Sequence, residues 1–177
     1  SAAFTVETGT GSASANSYCT VAFATSYHDS IGNPSLWLAA SDAARKDALR
    51  RATLGLDLKY AGRWAGIQST STQALAWPRI GVVDAAGEDV DEDVIPVRLQ
   101  LACARGALFE LEGKSVLPAT VDTADIESES RSMAGGFSKT VTYRGSKPGV
   151  AELQVLDYML MSANLITSGG GWGAAEA

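Results

Sequence analysis

The sequence predicts a mainly α fold: a small helical bundle with one β-hairpin inserted before the C-terminal helix, a flexible N-terminal arm and a flexible C-terminal tail. Three observations predict it. Apolar residues recur at helical spacing in three long stretches, residues 42–60, 96–112 and 150–166. Each stretch begins behind a start signal: Ser41-Asp42, Pro96 or Pro148-Gly149. Residues 137–144 instead alternate with the period of two that belongs to a strand. With 177 residues, 46% of them hydrophobic and 19% charged, the chain is long enough for one domain with a core of its own. We divide it into an extended arm (1–17), a single helical domain (18–166) and a Gly-rich tail (167–177).

The arm is small, polar and rich in Gly and Ser, so it is expected to order only against a partner. Gly9 and Gly11 begin a phosphate-loop pattern, but Ser14 stands where its third glycine belongs. Thr20 is the expected N-cap of a short helix over Val21–His28, which Gly32-Asn33-Pro34 ends. Leu36, Trp37 and Leu38 form an apolar plug before the next helix. That helix, about Asp42 to Tyr60, carries a core stripe of Leu49, Ala52, Leu56 and Tyr60. Leu54 and Leu58 lie on roughly the opposite side, so this helix is apolar on two faces.

Gly62 is the expected stop, because glycine accepts the left-handed backbone common at helix ends. Gln73–Trp77 is expected to make one helical turn, ended by Pro78. Residues 84–93 are an acidic connector with no basic residue. Its Asp89, Asp91 and Asp93 resemble the start of a calcium loop, but Val94 replaces the glycine and Gln100 the glutamate that such a loop requires, so a solvated turn is expected. Pro96 suits the first turn of the next helix, which runs to about Glu112 with Val97, Leu101, Ala104, Leu108 and Leu111 as its main stripe, widened by Leu99, Cys103 and Phe109. A hairpin follows, Ile126–Met133 with Phe137–Arg144. The last helix, about Val150–Ile166, places Leu153, Leu156, Leu160 and Ala163 on one face.

Composition narrows the function classes. A net charge of −6, with no Lys or Arg in residues 1–44, argues against a general nucleic-acid binder. The two cysteines, Cys19 and Cys103, do not make a disulfide scaffold, and Cys103 is expected as a buried thiol. No signal-peptide pattern and no membrane-length apolar run are found, so a soluble protein is expected. The single histidine, His28, is read as a helical surface residue, and no nucleophile-elbow pattern accompanies it. We expect no enzyme, no metal and no cofactor.

The stretch Tyr60–Gly81 carries the most distinctive residues: Tyr60, Gly62, Arg63, Trp64 and Gly66, then Gln73-Ala74-Leu75-Ala76-Trp77-Pro78-Arg79 and Gly81. Glu7-Thr8-Gly9, Ala15-Asn16-Ser17-Tyr18, Ala48-Leu49 and Arg51-Ala52-Thr53 precede it in order. Ile95-Pro96 and Val141-Thr142-Tyr143 follow it. In this ordered set the chain resembles the tailed-phage head–tail connector (adaptor or head-completion) family, some members of which are labelled DnaT-like single-stranded-DNA-binding. Trp64, Trp77, Pro78 and Arg79 are then structural residues of the family motif. The match leaves out residues 167–177, and Ile67 and Gln68 stand where more basic residues are expected.

The resemblance implies a virion protein of the neck, assembled in the host cytoplasm. Its partners would be itself, in a ring commonly of twelve copies; the portal protein; the next neck or tail protein; and double-stranded DNA passing without sequence-specific contact. No membrane is involved. A closed ring needs two different sticky faces per subunit. Candidate subunit or portal contacts are Leu54, Leu58, Phe137, Val141, Tyr143, Met159 and Trp172. The alternative is a single-stranded-DNA-binding module, with Trp64, Trp77 and Tyr60 stacking on bases and Arg51, Arg63 and Arg79 on the backbone. Core packing is the competing role for those aromatic rings.

Overall fold

A computed structural model describes residues 3–117, 126–133, 137–143 and 149–167; side chains are described for 3–117 and 153–167. The elements are α1 (Val21–Ser30), α2 (Ser35–Ala39), α3 (Asp42–Lys59), β1 (Ile67–Gln68), β2 (Arg79–Ile80), α4 (Val97–Leu111), β3 (Ile126–Met133), β4 (Phe137–Tyr143) and α5 (Gly149–Met161). The fold is mainly helical with one hairpin before the last helix, as the sequence predicts.

Cap chemistry sets the starts. The Thr20 side chain accepts from the Phe23 N–H, and the Ser41 side chain from the Ala44 N–H, at the heads of α1 and α3. Pro96 caps α4 without a side-chain bond. Leu49, Ala52, Leu56 and Tyr60 are all fully buried, so the α3 stripe lies where its spacing put it. In α4 the buried face takes in Ala104 and Leu108 of the expected stripe and the flanking Leu99, Cys103 and Phe109, and extends to Ala102, Gly106 and Ala107, small residues through which the helix packs against α3; of the stripe, Val97 in the first turn is 60% exposed. A Cβ on Gly106 would sit 3.2 Å from the Ala52 Cβ and 3.1 Å from a Val116 methyl. The absence of that atom lets α4 lie close on α3. α1 and α5 pack against α4 from other sides.

Four local expectations are corrected. Residues 3–17 are held by the chain itself, without a partner. Val6 bridges Ser17, and the buried Glu7 carboxylate accepts from the N–H groups of Gly9 (2.9 Å), Gly11 (3.0 Å) and Ser12 (2.8 Å). A carboxylate taking three backbone donors leaves no charge uncompensated on burial. Residues 73–77 make no helical turn: the Gln73 side chain donates to the Leu75 and Pro78 carbonyls and shapes an irregular loop with a cis Trp77–Pro78 bond. α5 ends at Met161, and Asn164 turns left-handed (φ 57°) so that Ile166 bridges Trp64. His28 is fully buried, not on the surface: its ring lies 4.5 Å from that of Trp37 and its Nε2 lies 3.1 Å from the Ala104 carbonyl.

β3 and β4 pair antiparallel, Met133 opposite Phe137 and Ile126 opposite Tyr143, with an irregularity between Ile126 and Ser128. The short β1–β2 pair, Ile67 opposite Ile80, was not foreseen in the sequence. The C-terminal tail beyond 167, with Trp172, lies outside the described residues.

Candidate functional site

The distinctive block sits between the C-terminal half of α3 and the chain that follows it. Its central feature is a buried polar junction. The Tyr18 hydroxyl donates to Asp57 Oδ1, and the Trp77 N–H donates back to the Tyr18 oxygen at 3.2 Å. Asp57 Oδ2 accepts from the Ala76 N–H at 3.0 Å. Thus one carboxylate on α3 holds the Ala76-Trp77 backbone and the residue that ends the N-terminal segment. Burial pushes the Asp57 carboxyl up to about 6, against the opposing pull of its hydrogen bonds and of Arg79. Burial, together with the Asp57 charge, raises the Tyr18 hydroxyl well above its ordinary value.

Arg79 completes the junction. Its guanidinium donates to the carbonyls of Ala65 (2.6 Å), Gly66 (2.7 Å) and Ala76 (3.1 Å). Five donors in a planar fork suit this clasp of three carbonyls, which a lysine could not reproduce. Gly66 is required at the turn it grips. Its φ is +64°, and a Cβ there would fall 2.2 Å from the Ile80 carbonyl oxygen. Trp64 and Trp77 meet edge to face at 6.2 Å, and Tyr60 meets Trp64 at 5.5 Å. Trp77 and Tyr60 are 0% exposed and Trp64 8%.

None of the three rings is open to a nucleobase. Nor are the arginines of that surface unengaged: Arg51 bonds Glu110 at 3.2 Å and Arg63 donates to the Thr167 carbonyl. The motif residues Trp64, Trp77, Pro78 and Arg79 are therefore brought together as a structural clasp.

The candidate contact residues are scattered over other surfaces. Leu54 and Leu58, 56% and 55% exposed, form an outward strip on α3 opposite the core. Met159 is half-buried and packs on the core, so it offers less surface than expected. Its α5 neighbours Tyr158 and Met161 are the exposed ones, and helical phase alone could have distinguished them. Phe137, Val141 and Tyr143 fall on β4 opposite Met133, Glu129 and Ile126. Their side chains, like Trp172, lie outside the described set. Sequence reading missed Asp57, whose signal was weak: an acid one position after a buried leucine on an otherwise core-facing turn.

The acidic connector is a held loop. Val83 bridges Asp89, Asp84 Oδ1 accepts from the Ala86 and Glu88 N–H groups, and the Glu92 carbonyl accepts from Ser69. Among the described residues no group of three or more His, Cys, Asp or Glu is placed to hold a metal ion, and no helix is long and apolar enough to cross a membrane.

A family model described as "Putative DnaT-like ssDNA binding protein" matches residues 2–177. The chain belongs to that family. The family's span takes in the N-terminal segment, the clasp and the hairpin alike, so the motif residues share one family context with the acidic loop. No curated protein and no solved structure matches the chain.

Proposed function

We propose that this protein is a structural, non-catalytic subunit of a tailed-phage head–tail connector ring. It would assemble with copies of itself below the portal, line the DNA channel and dock the next neck or tail protein. The observation that carries this reading is the division of aromatic and aliphatic residues. The rings that would make a base-binding surface are enclosed, while Leu54 and Leu58 stand more than half exposed on the far side of α3. An apolar strip beside charged residues suits a protein–protein contact. The ordered motif elements of the sequence support the same assignment. Electron microscopy of the purified chain mixed with the portal protein of its own phage tests it. Rings seated on the portal are expected; monomers that never bind the portal would overturn it.

The family's description favours a second reading, single-stranded-DNA binding. The enclosed Trp64, Trp77 and Tyr60 remove stacking from it, which leaves backbone contacts by arginine and lysine. Such binding loses affinity steeply as salt rises, because each neutralised phosphate releases a counterion. Anisotropy of a labelled oligonucleotide across a salt series decides: a steep slope supports this reading, and no binding at low salt ends it.

A further inference from the structure

Two buried thiols take no part in the clasp or in the candidate contact surfaces. Cys19 closes the N-terminal segment, one residue before the Thr20 cap of α1, and Cys103 lies in the middle of α4. Both are free and neither is open to solvent. Specific bonds bring them together. The Ser17 hydroxyl donates to the Cys19 carbonyl (2.8 Å) and accepts from the Cys19 N–H (3.4 Å), and the Tyr18 N–H donates to Thr53 Oγ1 (3.3 Å). Residues 17–19 are thereby held on α3 beside α4, and the two thiols hydrogen-bond each other.

The two sulfurs differ in what surrounds them. Cys103 Sγ lies 3.2 Å from the Thr53 hydroxyl, whose oxygen already accepts from the Tyr18 N–H, so the hydroxyl proton is left for the sulfur. The acceptor for a Cys103 proton, the Leu49 carbonyl, is distant at 3.9 Å. Donors crowding a sulfur favour its thiolate. The Cys19 thiol first, then Thr53, Tyr18 and Ser17, pull the Cys103 thiol below its ordinary value against burial. The same pairing and burial push Cys19 up. A thiolate beside a protonated thiol is the arrangement of an attacking and a resolving cysteine.

We propose that Cys19 and Cys103 form a redox pair: a hydroperoxide oxidises Cys103, and Cys19 then closes a disulfide that fixes the N-terminal segment to α4. The Cys103 sulfur takes the terminal oxygen of the hydroperoxide. An S–O bond forms, the O–O bond breaks, and the leaving oxygen takes the thiol proton, giving a sulfenic acid and an alcohol, or water from hydrogen peroxide. The Cys19 sulfur then attacks that of Cys103. The S–S bond forms, the S–O bond breaks, and hydroxide leaves with the Cys19 proton as water. The two sulfurs together give up two electrons and the hydroperoxide gains them. The reagent enters when the segment, held by loop hydrogen bonds such as those of Glu7 and Tyr18, lifts from α3. Neither self-assembly nor DNA binding is needed for this chemistry.

The test is mild hydrogen peroxide on the folded, reduced full-length chain, read by intact mass and by a peptide map without reductant. The expected product is one chain lighter by two hydrogens, with the Cys19 and Cys103 peptides joined, and separated again by dithiothreitol. Its urea midpoint should rise, since the link closes a long loop of the unfolded chain. In Cys19→Ser, the sulfenic-acid probe dimedone should mark Cys103; in Cys103→Ser it should leave Cys19 unmarked. Thiols that stay free after peroxide overturn the pair, as do links between separate chains or a sulfinic acid formed without a link. A probe that marks Cys19 in place of Cys103, or a linked chain no more resistant to urea than the reduced one, overturns it as well. The wild-type mass and map use no variant, so they decide even where a serine variant fails to fold.

Discussion

At the scale of the residue, two buried titratable groups carry opposite linkage to pH. Burial lowers His28 to about 4 from 6.5, with Arg105 adding to the shift and the Ala104 carbonyl and Asp29 opposing it. The folded protein therefore keeps His28 neutral where the unfolded chain takes up a proton. Stability from this group is complete above pH 6.5 and is lost as pH falls toward 4. Asp57, raised from 3.8 to about 6, behaves the other way: the folded state holds a proton that the unfolded chain has released, so stability rises as pH falls from 6 to 3.8. Each contributes on the order of 2–3 kcal/mol, and the two largely cancel. We predict that His28→Gln makes the protein more stable on acidification from pH 6 to 4, relative to wild type. Asp57→Asn should steepen the acid loss. Denaturant unfolding across that range measures both, and parallel curves for all three proteins would show that neither group is shifted.

At the scale of the element, the fold depends on how closely α3 and α4 approach. Gly106 permits that approach, and Gly55 makes room for the chain that follows α4, since a Cβ on Gly55 would stand 2.7 Å from the Val116 side chain. Gly106→Val is predicted to destabilise by about 1–3 kcal/mol through overpacking against Ala52 and Val116. Leu54→Gln, on the outer strip of the neighbouring helix, should stay within about 0.5 kcal/mol. Urea unfolding of the pair checks the contrast; equal losses would mean that the outer strip is buried in solution. The thiols belong to this scale too. Tyr18 N–H donates to Thr53 Oγ1, which lies 3.2 Å from Cys103 Sγ, so the residue before Cys19 is tied to the centre of the α3–α4 contact. Both thiols are free, and the neighbouring Cys103 thiol together with burial pushes the Cys19 thiol up, which keeps it protonated and unreactive.

At the scale of the whole molecule, the N-terminal segment and the clasp form one continuous structure. Glu7 closes the loop of residues 9–12, the Ala74 N–H donates to the Ser12 carbonyl, and Tyr18 reaches Asp57 and Trp77. Glu7→Ala is predicted to cost about 2–3 kcal/mol, because three buried backbone donors lose a charged acceptor. It should also open residues 9–15 to limited proteolysis. A loss within about 0.5 kcal/mol would return this segment to the independent arm its composition suggests.

The sequence by itself determined the four longer helices, the hairpin and the family, while α2 read only as an apolar plug. Caps such as Thr20 and Ser41, the 3.6-residue stripe of Leu49, Ala52, Leu56 and Tyr60, and the two-residue alternation of Phe137–Tyr143 are local signals, readable within a few turns of chain. Only the tertiary structure decided what those elements enclose. His28 is inside because Trp37 and Ala104 cover it, Gln73–Trp77 avoids a helix because Asp57 and Gln73 take its backbone groups, and Gly9–Ser12 is ordered because Glu7 folds back onto it. Burial and hydrogen-bond partnership are properties of pairs that meet across tens of residues, such as Tyr18 with Asp57 or His28 with Ala104. No periodicity along the chain records which distant residue will supply the missing acceptor, and for that reason the sequence left Tyr60, Trp64 and Trp77 with two roles, core packing or base stacking, between which the fold decides for the core.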